Sequence, residues 1–190
     1  MAIILASSSP RRKELLRKAV RSFNVMPADI DESVNKNESP KHYVARMAKE
    51  KAMVIASKYP EDIIIGCDTS VIMGNSIMGK PQNDTEARFM LKRLSNLTHQ
   101  VLTSVYIKTP ERVYRKTEVV SVTFYPLSEE DISEYLKTGE HLDKAGAYGI
   151  QGQGALFVKE IKGDYYSIVG FPIGFVHQVL KDIREKEQTV

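Results

Sequence analysis

The chain has 190 residues, 42% of them apolar and 27% charged, with a formal net charge of +3. These values suit a globular protein of one domain or two close lobes and exclude disordered and fibrous classes. Cys67 is the only cysteine, which excludes an internal disulfide and suits a reducing compartment.

Met1 to Ala6 is apolar but too short for a signal peptide or a membrane span, and Pro10-Arg11-Arg12 follows at once. A cytoplasmic protein without membrane attachment is expected. No run of like charge resembles a nucleic-acid arm. Ala2 to Leu5 reads as a short buried strand. Ser9-Pro10 reads as an N-cap followed by proline at the first helical position, opening a helix to about Val20. Phe23 to Met26 reads as a strand stopped by Pro27, and Asp29 to Glu38 as a polar loop. Ser39-Pro40 repeats the helix-start signal, for a helix to about Lys58. Ile63 to Met73 is apolar and β-branched, a buried strand, and Gly74-Asn75 turns it back into Ser76 to Met78. Asp84 to Leu94 has helical spacing. Val101 to Thr109 and Arg112 to Phe124 read as strands, and Ser128 to Lys137 as a helix ended by Gly139. Ala145 to Gly154 holds four glycines and reads as a loop shaped for close approach. Phe157 to Ile161 and Tyr165 to Val169 are expected as strands around a turn at Gly163, and Pro172 as the start of a last helix. Alternating strands and helices give an α/β class.

Three residue patterns break the bland expectation. Ser7-Ser8-Ser9-Pro10-Arg11-Arg12 puts two arginines at a helix start, where free N–H groups and the helix dipole already carry positive charge. Their placement is unfavourable by about a few tenths of a kcal/mol each. A bound phosphate would remove the conflict; the alternative is that both arginines point into water. On the helix after Ser39, at about 100° per residue, Val44, Met47, Ala48, Val54 and Ile55 form one apolar stripe. Lys51 falls at its centre, whereas Arg46, Lys49 and Glu50 fall on the solvent side. Such a lysine needs an anionic partner or a path for its head to water. Asp68 lies inside the apolar strand, where a carboxylate is expensive unless paired or bound to metal. Carboxylates at strand ends commonly hold Mg²⁺ against substrate phosphates.

Weaker candidates are Asp31 and Glu32, further carboxylates in a polar loop, and Lys80, in a rigid Gly79-Lys80-Pro81 turn without the glycine spacing of a Walker A loop. His42, His99, His141 and His177 have no zinc-ligand spacing. Cys67 reads as a small buried residue.

Taken together, Leu5 to Arg12, Gly66-Cys67-Asp68-Thr69, Gly79-Lys80-Pro81, Asp143 to Gly152 and Gly163 to Pro172 resemble the motifs of the Maf-like proteins, the septum-formation-inhibitor family. The resemblance runs nearly the whole chain, 1–190, as one domain. It implies a mixed twisted sheet flanked by helices, with two lobes around a deep nucleotide-binding cleft. It also implies a pyrophosphatase that splits dTTP, UTP and related pyrimidine nucleotides with Mg²⁺ or Mn²⁺, and a homodimer. By the same resemblance Asp68 is the catalytic acidic residue. Arg11, Thr69 and Gln151 bear on substrate choice, and Arg12, Lys51 and Lys80 line the cleft. Asp68 and Asp31 are the expected metal ligands, Asp31 standing where glutamate is common. Cys67 replaces a usual alanine, and Asn83 a frequent aspartate. The competing functions are a purine-selective pyrophosphatase of the inosine-triphosphate type and a non-catalytic nucleotide-binding regulator of septum formation.

Overall fold

The computed structural model describes residues 1–187. Seven strands form one mixed sheet: β1 Ile3–Leu5, β2 Asn24–Val25, β3 Ile63–Met73, β4 Ser76–Met78, β5 Thr98–Lys108, β6 Val113–Phe124 and β7 Val158–Lys162. The helices are α1 Pro10–Ala19, α2 Pro40–Ala56, α3 Asp84–Leu94, α4 Glu129–Lys137, α5 Tyr165–Val169 and α6 Ile173–Glu187. The path across the sheet is β2-β1-β3-β5-β6-β7, with β4 on β3. β1 runs parallel to β2 and β3, while β3, β5, β6 and β7 are successively antiparallel. The mixed α/β sheet expected from the sequence is therefore present. No helix among the described residues is long and apolar enough to cross a membrane.

β3 and β5 are eleven residues each, about 36 Å at ~3.3 Å per residue, and they span two packed regions. At one end Leu5, Leu16, Ile65, Val105, Phe171 and Leu180 pack under α1 and α6. At the other, Val71, Leu91, Phe124, Ile132, Tyr148 and Phe157 pack under α3 and α4. The edge of β3 away from β5 is shared. Ile63 to Ile65 pair with β1, and Val71 to Met73 pair with β4. Gly66 to Ser70 lie between these pairings with no strand beside them on that edge, among the described residues. Asp68 and Thr69, on this unpaired stretch, line a cleft.

α2 lies directly on this stretch. A Cβ on Gly66 would sit 2.2 Å from Ala48 O and 2.7 Å from Ala52 N, so only glycine permits the approach. Val54, expected on the buried stripe of α2, is 36% exposed, and Ala52 occupies the interior instead. Tyr165 to Val169, expected as a strand, is a short helix. Its β-forming residues are overruled by its ends. Asp164 Oδ2 accepts from Ser167 N at 2.9 Å as an N-cap, and Gly170 at φ 113° ends the turn in a left-handed conformation. The glycine-rich loop contains two short 3₁₀ turns, Ala145–Ala147 and Gln153–Phe157.

Candidate active site

A cleft of about 380 Å³ opens at the unpaired edge of β3. Its walls carry five cationic side chains, Arg11, Arg12, Lys51, Lys80 and Lys144, against three carboxylates, Glu32, Asp68 and Asp143. The excess of positive charge suits an anionic ligand.

Successive side chains on β3 point to opposite faces, and the two faces of the strand have different partners. On the α2 side, Asp68 Oδ1 accepts from Lys51 Nζ at 2.7 Å, and Glu32 Oε1 lies 2.8 Å from the same nitrogen. Asp68 is 8% and Lys51 9% exposed. The buried lysine and the buried carboxylate are thus each other's partner. Burial raises the pKa of Asp68 above the ordinary carboxylate value, while Lys51 and Arg12 hold it back. Since Oδ1 is occupied by Lys51, Oδ2 remains to take a proton.

Glu32 reaches the cleft because its loop is pinned. Arg46 grips Glu38 through two 2.7 Å bonds and donates to Ser33 O at 2.8 Å, and Tyr43 Oη donates to Glu32 O at 2.9 Å. The Arg46 guanidinium holds the Glu38 carboxyl down at about 2. Arg46, expected to face solvent, therefore orders the loop. Nothing local in the sequence marks this role, because Glu38 lies outside the helix that carries Arg46.

On the other side of β3, Thr69 meets Arg12. Arg12 donates from Nε to Gly170 O at 2.9 Å, from Nη1 to Ser7 Oγ at 3.1 Å and from Nη2 to Thr69 Oγ1 at 3.2 Å. These contacts tie the start of α1 to β3 and to the end of α5. Two of the five N–H donors of Arg12 remain for a ligand. Ser9 caps α1 by accepting from Arg12 N at 3.4 Å, and the first turn carries no acidic residue. Its positive end is left for an anion. Arg11 crosses the cleft mouth to Asp143 at 3.4 Å, and Lys144 holds Asp143 from the other side at 2.5 Å. Burial alone would raise the pKa of Asp143; Lys144 and Arg11 outweigh it and lower that pKa.

Among the described residues no three His, Cys, Asp or Glu side chains converge as a metal cluster. Asp68 and Glu32 nevertheless fit a divalent ion of the Mg²⁺ kind. Such an ion takes one or two protein carboxylates and completes its oxygens from water and substrate phosphates.

A model of the Maf-like protein family matches residues 2–183. The chain belongs to the Maf-like protein family. A relative in Clostridioides difficile (strain 630), named dTTP/UTP pyrophosphatase, is 50% identical over 183 residues, 95% of this chain and 94% of its own. A relative of the same name in Bacillus velezensis is 45% identical over 184 residues, 97% of each chain. The structure of the Staphylococcus aureus Ham1 protein covers 65% of this chain and 72% of its own, at 14% identity and a TM-score of 0.44, too loose a likeness to argue from.

In this Maf-like chain Arg11, Arg12, Lys51, Asp68, Thr69, Lys80 and Gln151 all line one cleft. Asp31 does not. Its carboxylate turns back to Ser33, accepting from N at 2.9 Å and Oγ at 3.0 Å, and the second carboxylate beside Asp68 belongs to Glu32. Asn83 caps α3 by accepting from Glu86 N at 2.9 Å, a task asparagine and aspartate perform alike. Cys67 is fully buried with its thiol pushed up to about 11 by burial, which keeps it from acting as a nucleophile. His99 and His141 are buried residues outside the cleft lining.

Proposed function

We propose that this Maf-like protein is a nucleoside triphosphate pyrophosphatase that hydrolyses dTTP, UTP and related pyrimidine nucleotides to the monophosphate and pyrophosphate. The observation that carries the proposal is the buried Lys51–Asp68 pair at a cleft whose cationic side chains outnumber its carboxylates. The names of relatives at 45–50% identity support the substrate.

The triphosphate lies along the cationic wall, with Arg11, Lys80 and the start of α1 binding phosphate oxygens. Asp68 takes the proton of a water that attacks the α-phosphorus. The new P–O bond forms as the bond to the β-phosphate oxygen breaks, and pyrophosphate leaves. Desolvation makes Asp68 a better proton acceptor, and Lys51 keeps it ionised enough to act. Arg11, Arg12, Lys51 and Lys80 stabilise charge on the phosphoryl oxygens and the leaving group. A divalent cation, Mg²⁺ or Mn²⁺, would be held by Asp68 with Glu32 and would supply neutralisation of phosphate charge. Thr69 and Gln151 read the base. The amide of Gln151 offers a donor and an acceptor together, as the edge of a pyrimidine requires. The reading includes a cytoplasmic location, a homodimer, and residues 1–190 working as one catalytic domain.

Asp68→Asn tests the assignment, because it keeps the shape and removes the proton acceptor. Pyrophosphate release should fall by about 10²–10⁴-fold, while a fluorescent nucleotide still binds. Undiminished turnover would remove Asp68 from the chemistry.

A further inference from the structure

Thr69 and Thr103 are paired across β3 and β5, and their hydroxyl oxygens lie 2.9 Å apart. Thr103 is fully buried and donates its one proton to Ser167 O at 2.7 Å. A carbonyl only accepts, so Thr103 has no proton left for its neighbour and must accept from Thr69. The second internal acceptor near Thr69, Gly170 O at 3.5 Å, draws on the same proton. In either arrangement the Thr69 proton points into the protein. Arg12 Nη2 fills one Thr69 lone pair at 3.2 Å. What half-buried Thr69 presents to the cleft is one acceptor lone pair and no donor.

Besides the Arg12 guanidinium, the cleft wall that carries Thr69 includes apolar side chains that suit the faces of a base. Thr69 shares its face of β3 with Val71, and Val101, Tyr148 and Ile168 line the same cleft. The buried carboxylate and its lysine lie on the opposite face.

We infer that Thr103 is a positioning residue for specificity, which fixes the Thr69 hydroxyl as an acceptor so that the cleft selects nucleobases presenting a ring N–H. Uracil and thymine present such a donor at N3. Cytosine presents a lone pair there, and two facing acceptors leave both groups unpaired. A site built to hydrogen-bond one group rejects its mismatch strongly, by tenfold or more. The inference rests on the pyrimidine triphosphate reading above.

The test is kcat/KM for pyrophosphate release from UTP and CTP by the wild type, Thr103→Val and Thr103→Ser. Valine keeps the volume of threonine but removes the 2.9 Å acceptor, which leaves only the long 3.5 Å contact to Gly170 O to hold the Thr69 proton inward and lets it turn toward the cleft. The UTP:CTP ratio should drop at least about tenfold in Thr103→Val and stay near wild type in Thr103→Ser. An unchanged ratio in Thr103→Val, or equal losses for both substrates, would overturn the inference while leaving the pyrophosphatase reading intact. The wild type gives a second, fold-independent arm. UTP methylated at N3 lacks the donor and should be hydrolysed at least about tenfold more slowly than UTP, and turnover equal to UTP would overturn the inference. No release from any pyrimidine triphosphate would instead overturn the reading beneath it, and this inference with it.

Discussion

At Lys51 a buried ammonium lies 2.7 Å from Asp68 and 2.8 Å from Glu32. Removing that charge while keeping the bulk, as in Lys51→Met, leaves Asp68 buried without its nearest cation. Burial already raises the Asp68 pKa and Lys51 opposes the rise, so the variant's pKa must lie higher still. A base works only when ionised, and activity therefore climbs with pH through that pKa. The acid limb of the kcat/KM profile should move to higher pH in Lys51→Met, alongside a loss in the maximum. A limb that stays in place would show that Asp68 is not the group being titrated. Both residues are legible in the sequence, because a charge on an apolar stripe or in an apolar strand breaks the hydrophobic pattern. Their pairing is not, since it depends on how α2 lies across β3. Arg46, Tyr43 and Thr103 leave no such mark. An arginine off the apolar stripe and a threonine in a strand are ordinary until the fold brings Glu38, Glu32 and Thr69 to them.

Among the elements, the contact of α2 with β3 sets the distance between lysine and carboxylate. Gly66 makes that contact possible, with Ala48 O and Ala52 N lying where a Cβ would go. Both are backbone atoms and cannot turn aside. Gly66→Ala should therefore lift α2, destabilise the protein by about 2–3 kcal/mol in urea unfolding and lower kcat at least tenfold by separating Lys51 from Asp68. Wild-type stability in this variant would contradict the packing described. Elements with strong local signals follow their sequence. β3 at Ile63–Met73 and α3 at Asp84–Leu94 occupy the expected residues. α5 does not, because four β-forming residues and Ser167 lie between an aspartate N-cap and a left-handed glycine, and the caps decide. The glycine-rich loop yields its 3₁₀ turns only in three dimensions, where it folds against Val71 and Glu140.

Across the whole molecule, two cores share the long strands β3 and β5, and the cleft opens where β3 has lost its neighbour between β1 and β4. That gap separates the tasks. One face of β3 holds the buried acid with its lysine, and the other holds the polarised threonines beside apolar walls. The α/β class follows from the alternating pattern, and the mixed sheet and cleft from the resemblance of the motifs to the family, whereas the gap depends on strand register that no local pattern encodes. The most direct measurement is pyrophosphate release from a panel of nucleoside triphosphates, with Mg²⁺ or Mn²⁺ and again with chelator. Release that favours dTTP and UTP and stops with chelator is the predicted result. Release that favours purines would overturn the reading of Thr69 and Gln151, and no release from any nucleotide by the folded protein would contradict the enzyme itself.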